Sequence, residues 1–125
     1  MAESDNANEL VLVVEDEALI RMGAADLIRD LGFEVLEAVD ANHAVSLLES
    51  VPEITVVFTD VEMPGSMDGL LLAAVVRDRW PPIALLVTSG KVRPASSDMP
   101  IGTQFMSKPY SPLELKERLH SLTGR

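Results

Sequence analysis

Three acidic residues, a lysine and a pair of hydroxyls in this 125-residue chain stand where short apolar runs end. Residues 10–14 run into Glu15 and Asp16, residues 54–59 into Asp60, residues 83–87 into Thr88 and Ser89, and residues 103–107 into Lys108 followed by Pro109. The run before Asp60 poses the sharpest question, because its β-branched and apolar composition is that of a strand buried on both faces. A buried carboxylate without a partner costs several kcal/mol or takes up a proton, so Asp60 must lie at the solvent edge or have a cationic partner.

Gathered at one rim, Glu15, Asp16 and Asp60 would repel one another and raise at least one pKa unless a divalent cation is shared among them. Mg²⁺ suits such a set: it is octahedral, prefers oxygen, and is commonly held by one or two carboxylates plus water and substrate phosphate. A carboxylate is also a competent nucleophile toward phosphorus, giving an aspartyl phosphate. Lys108 as a point charge and Thr88 as a hydroxyl donor would, with the metal, neutralise the incoming phosphoryl oxygens. Asp60's expected partners are therefore Mg²⁺ and Lys108.

The elements that must position these residues alternate between strand and helix. After the first strand, Ile20, Ala24, Leu27, Ile28 and Leu31 fall on one face at helical spacing, and Gly32 stops that helix. Residues 33–38 alternate apolar with acidic, as an edge strand would; Asp40 caps a helix running to Ser50, with Ala44, Val45, Leu47 and Leu48 inward. Asp68 caps a third helix from Gly69 to about Trp80, ended by Pro81-Pro82. The last helix opens on Ser111-Pro112-Leu113-Glu114, a capping box with proline at its first position, and buries Leu115, Leu119 and Leu122. This order predicts a parallel sheet covered on both faces, with ligands beyond the carboxyl ends of the strands at the switch point of strand order. Residues 89–102, with two prolines and little periodicity, predict a loop or at most one helical turn.

Composition narrows the function classes. The chain is of single-domain size and has no cysteine, which excludes disulfides, thiolate metal sites and cysteine nucleophiles; two histidines are too few for a histidine-rich metal cage. Residues 1–8 open a polar, acidic N-terminus read as a flexible tail, without the order of a secretory signal. No apolar run approaches the roughly 20 residues of a membrane span, so a soluble cytoplasmic protein is the default expectation. A formal net charge of −10 argues against direct nucleic-acid binding.

The segments at 12–17 (LVVEDE), 59–70 (TDVEMPGSMDGL), 85–90 (LLVTSG) and 105–110 (FMSKPY) together resemble a receiver domain of the two-component response regulators, of the chemotaxis-regulator type. The likeness extends over essentially the whole chain, with residues 9–125 as the receiver. It implies a flavodoxin-like (β/α)5 fold, a doubly wound five-stranded parallel sheet of order 2-1-3-4-5, here with a short or missing fourth helix. It further implies Asp60 as phosphoacceptor, Glu15 and Asp16 as the acidic pair serving Mg²⁺, and the Glu62 backbone carbonyl as a further metal ligand. Thr88 is similar to the family's switch hydroxyl, Phe105 to its switch aromatic, and Lys108 to its phosphate-binding lysine. The Lys108-Pro109 bond resembles one that is cis in the family. A sensor histidine kinase or histidine phosphotransfer protein is the implied donor. The chain ends just past the last helix, so the expected effector is a protein partner or phosphorelay reached by a stand-alone regulator rather than an enzyme.

Three departures from the family pattern stand out. Ser66 lengthens the loop between Pro64 and Asp68 by one residue, the acidic pair is Glu-Asp and leaves room for Glu15 to act through water, and the poor fourth helix leaves the usual output face open to rebuilding. Blander readings stand beside the sharp ones: Glu17 as a first-turn acid, Thr88-Ser89 as an ordinary cap, Phe105 as a core aromatic, His43 and His120 as surface residues, the methionines as core filler, and Trp80 as the close of the third helix. The rival functions are a pseudo-receiver serving as a phosphorylation-independent binding module, the receiver piece of a hybrid histidine kinase, and a Mg²⁺-dependent phosphohydrolase using Asp60 with Glu62. The last would want its nucleophile after the first strand and a substrate-covering insertion, neither of which is seen. A flavin-binding protein would want a glycine- and hydroxyl-rich loop where Glu15-Asp16-Glu17 stands.

Overall fold

The computed structural model describes residues 9–91 and 93–124; the N-terminal tail expected at 1–8 lies outside them. Five strands alternate with helices: β1 (Leu10–Val14), α1 (Ala18–Asp30), β2 (Glu34–Ala38), α2 (Ala41–Ser50), β3 (Val56–Asp60), α3 (Gly69–Arg79), β4 (Ala84–Ser89), β5 (Gln104–Ser107) and α4 (Pro112–Thr123). All pair in parallel in the order β2-β1-β3-β4-β5, as expected. Among the described residues, no helix is long and apolar enough to cross a membrane.

The side-chain alternation of a strand sends neighbouring residues to opposite layers. On one face Leu12, Val14, Val57, Leu85 and Val87 meet the buried residues of α2 and α3, including Leu48, Leu72 and Val76. On the other, Val11, Val13, Phe58, Leu86 and Met106 meet Ala24 and Ile28 of α1 and Leu115 and Leu119 of α4. Both faces of the central strands are thus dry, which is why their sequences carry unbroken apolar runs rather than alternation.

The expected caps form, the one at Ser111 as the serine half of the capping box. Asp40 accepts from the His43 N–H, Asp68 from the Leu71 N–H, and Ser111 Oγ from the Glu114 N–H at 3.0 Å, with Pro112 in the first turn. Gly32 follows α1 with φ 99°, a left-handed conformation open to glycine at little steric cost. Among the described residues between β4 and β5, the one helical element is a 3₁₀ turn, Ser96–Asp98.

Strand limits and one helix face differ from expectation. β2 starts at Glu34 and β5 at Gln104, one residue late each, while β3 spans Val56–Asp60 rather than 54–59. β4 starts at Ala84 and continues through Thr88 and Ser89 instead of stopping at Val87. The reason is the backbone ladder, which needs no apolar side chain: Asp60 pairs with Thr88, Thr88 with Met106, and Ser89 with Ser107. In α1, Ile20 is 43% exposed. It lies in the first turn, at the mouth of the site, instead of on the inward stripe.

Candidate functional site

The strand order reverses beside β1, so the carboxyl ends of β1 and β3 adjoin at the switch point where ligands of such sheets bind. Glu15 leaves β1 there, and Asp60 ends β3. Carboxylate oxygens of Glu15, Asp16 and Asp60 all lie within 4.8 Å of one another, with Glu15 and Asp60 buried and Asp16 exposed. Lys108, carried in from the end of β5, places Nζ 3.0 Å from Asp60 Oδ2 and 3.5 Å from Glu15 Oε1. The structure thus joins all four charged residues expected at the site, and Lys108 is the partner that a buried Asp60 requires. The Lys108-Pro109 peptide is cis.

Electrostatics follow from this crowding. Burial, with the Asp60 carboxylate adding to it, holds Glu15 up to about 7, against the opposing pull of the Glu17 N–H and Lys108. Burial would lower the Lys108 ammonium, but Asp60 and then Glu15 outweigh it and lift the group above its ordinary value. Three carboxylates against one ammonium leave two negative charges when all are ionised. An all-oxygen set with that residual charge fits a hard divalent cation such as Mg²⁺.

The backbone and hydroxyl partners complete the walls. The Glu62 N–H donates to Asp60 Oδ1 at 3.3 Å, holding that carboxylate from the loop that follows it. Thr88 is buried and lines the same crevice as Asp60, but its hydroxyl donates to the Met106 carbonyl at 2.8 Å across the β4–β5 pair. Ser89 Oγ donates to Glu62 Oε2 at 2.5 Å. Phe105 sits in the opposite layer with Val87, 9% exposed, and the Arg93 guanidinium lies 5.1 Å from its ring centroid. It is a core aromatic on this observation. Outside the site, His43 Nδ1 accepts from the Val39 N–H and His120 packs near Phe33.

Two participants escaped the sequence reading. Tyr110 lines the crevice, packs edge-on against Phe58 with centroids 5.9 Å apart, and has its phenol pushed up by burial. Its place two residues after Lys108 was the available signal. Gly69 is the other. A Cβ there would lie 1.9 Å from the Asp60 carbonyl oxygen and 2.9 Å from Val61 Cα, and its N–H donates to the Val61 carbonyl at 3.0 Å. The first turn of α3 therefore presses against the backbone that carries the Asp60 side chain, an approach open only to a residue without a side chain.

Comparison with known proteins agrees with this geometry. The response regulator receiver domain family matches residues 11–120. The sensor kinase CckA of Brucella abortus (strain 2308) is 34% identical over 105 residues, covering 81% of this chain and 11% of that protein. The probable transcriptional regulator ycf27 of Porphyra purpurea is 32% identical over 124 residues, covering 97% of this chain and 50% of its own length. The chain thus spans half or less of these two curated relatives. Among solved structures, the Vibrio cholerae chemotaxis protein CheY4 superposes with a TM-score of 0.80 at 25% identity, covering 93% of this chain and 99% of that one. A buried aspartate paired with a lysine, and an acidic pair beside it at the switch point of a 2-1-3-4-5 sheet, in a chain matched over residues 11–120, make this protein a member of the response regulator receiver domain family of two-component systems.

Proposed function

We propose that Asp60 accepts a phosphoryl group from a phosphohistidine on a sensor histidine kinase or histidine phosphotransfer protein, and later loses it to water. The observation that carries this reading is the Asp60 carboxylate, buried yet open to a crevice and held between Lys108 Nζ and the Glu62 N–H. A carboxylate oxygen attacks phosphorus, the P–N bond breaks, and the imidazole leaves with the bonding pair and takes up a proton. Glu15, Asp16, Asp60 and the Glu62 carbonyl would hold Mg²⁺, which when bound supplies charge neutralisation at the phosphoryl oxygens. Lys108 turns from Asp60 Oδ2 toward the new oxygens and compensates their charge. Thr88 exchanges the Met106 carbonyl for a phosphoryl oxygen, and that exchange, read by Phe105 in the neighbouring layer, is the switch. A bias of a few kcal/mol between the two arrangements is enough to make it a signal.

On this reading the protein is a cytoplasmic, stand-alone regulator rather than an enzyme, since its only turnover is loss of its own phosphoryl group. A chain of net charge −10 favours a protein effector over nucleic acid. A second reading, the receiver stretch of a hybrid kinase, draws on the likeness to CckA; the size of the native polypeptide in cells separates the two. The chemistry is tested by intact mass after incubation with acetyl phosphate, with and without Mg²⁺, beside Asp60→Asn. One phosphoryl adduct dependent on both Mg²⁺ and Asp60 is expected. If no adduct forms even with partner kinases while Mg²⁺ still binds, the protein is a phosphorylation-independent binding module. Spectra of Thr88 and Phe105 that do not change on binding a phosphate mimic would remove the switch.

A further inference from the structure

Past Val14, β1 leaves the sheet. The Glu15 N–H still donates to the Ala38 carbonyl at 3.1 Å, but the register with β3 ends at Val14 and Thr59, and Glu17 then enters α1 without a side-chain cap. The acidic pair thus rides on a short connection outside the β1–β3 ladder, held locally by the Glu17 N–H, which donates to Glu15 Oε2 at 3.0 Å. Arg21, one turn into α1, reaches back across it: Nη1 donates to the Glu15 carbonyl at 3.0 Å, while Nε donates to Glu37 Oε1 of β2 at 3.2 Å. Glu37 is held in turn by Arg29, whose Nη2 donates to Oε2 at 3.4 Å. The Arg21 side chain is only 14% exposed and that of Glu37 28%, so this contact is drier than an ordinary surface ion pair, which contributes little.

We propose that Arg21 is a positioning residue for the cation site, fixing the Glu15–Asp16 backbone through the Glu15 carbonyl and drawing its own position from Glu37 on the edge strand. The inference rests on the metal reading given above. A planar guanidinium serves two acceptors in fixed directions at once, and an ammonium on a flexible stem does not. The sign of the effect separates positioning from charge. Arg21 is a cation beside a cation site, so deleting its charge alone would strengthen Mg²⁺ binding. Deleting a positioning contact weakens it, because the carboxylates must then be ordered by the metal itself.

The test is calorimetric titration of the full chain with Mg²⁺ at constant ionic strength, above the pH of about 7 at which Glu15 ionises. Arg21→Met is expected to weaken binding about tenfold, the low end for residues that orient metal ligands, with its fold checked by circular dichroism. Glu37→Ala should weaken binding in the native background and change little further beside Arg21→Met, because it acts through Arg21. A purely Coulombic role for Glu37 would persist in both backgrounds. Unchanged or tighter binding in folded Arg21→Met overturns the inference while leaving the metal site intact. Should Arg21→Met not fold, Arg21→Lys keeps the charge and loses the fork; native affinity in that variant, or failure of both to fold, overturns it too. A native chain that shows no Mg²⁺ binding refutes the metal reading itself, an outcome seen before any variant is made.

Discussion

Glu15 is the residue on which pH should act. Its carboxyl is held up to about 7 in the folded chain against an ordinary value of 4.5, so folding favours its protonated form. The stabilisation this gives is fully present below pH 4.5 and is lost as pH rises toward 7, a change of at most about 3 kcal/mol for metal-free protein. Glu15→Gln, neutral at every pH, should be the more stable chain above pH 7 in chelator and lose that advantage near pH 5. Denaturant melts across this range decide it, and parallel curves for the two chains would defeat the argument. Because cation binding needs the ionised carboxylate, Mg²⁺ should bind more tightly as pH rises and release protons as it binds. Of these charged residues, Asp60, Asp16, Glu15 and Lys108 were legible in the sequence because each ends an apolar run. Arg21 was not, since an arginine in a helix's first turn is ordinary until its two acceptors are seen.

At the scale of elements, the sequence reading located every helix and strand but placed several strand ends a residue or two from where the ladder puts them. Apolar runs mark where side chains are dry, whereas strands end where backbone pairing ends, and at this rim pairing continues through Asp60 and Thr88. The same distinction hid Gly69. Reading it as the residue after a helix cap was correct and incomplete, since the reason for glycine is the Asp60 carbonyl against which α3 docks. Gly69→Ala must push α3 away from β3. Overpacking of this kind costs about 1–3 kcal/mol, and moving a nucleophile by about 1 Å can slow its reaction on the order of a hundredfold. Melts together with the rate of phosphoryl uptake measured by intact mass should show both losses. Native uptake in a destabilised Gly69→Ala would mean that the helix yields without carrying Asp60 with it.

For the whole molecule, charge and metal are linked through stability. A formal net charge of −10 sets the field, and the cluster of Glu15, Asp16 and Asp60 concentrates part of it beside two dry layers. A ligand that binds only the folded chain stabilises it by about 2.7 kcal/mol at a hundred times its dissociation constant. Mg²⁺ should therefore raise the melting temperature beyond what potassium chloride of equal ionic strength achieves, and Asp60→Asn should reduce that excess. Equal gains from the two salts would reduce the effect to screening. The doubly wound architecture was the most legible feature of all, because alternating apolar runs and helical stripes leave few other ways to cover a sheet. The precise reach of the crossover between β4 and β5 was the least legible, since its residues obey no period.

That crossover carries a consequence for how such a protein can diverge. Ser96 to Asp98 make one exposed 3₁₀ turn, and of the flanking residues Met99 packs against the core from a half-buried position. Substitutions on exposed ground of this kind change stability by only about half a kcal/mol. Ancestry can therefore rewrite this segment almost freely while Asp60, Lys108 and the acidic pair stay fixed by their mutual contacts. Two descendants of one such chain could keep identical chemistry and come to answer to different effectors through changes that never touch the sheet.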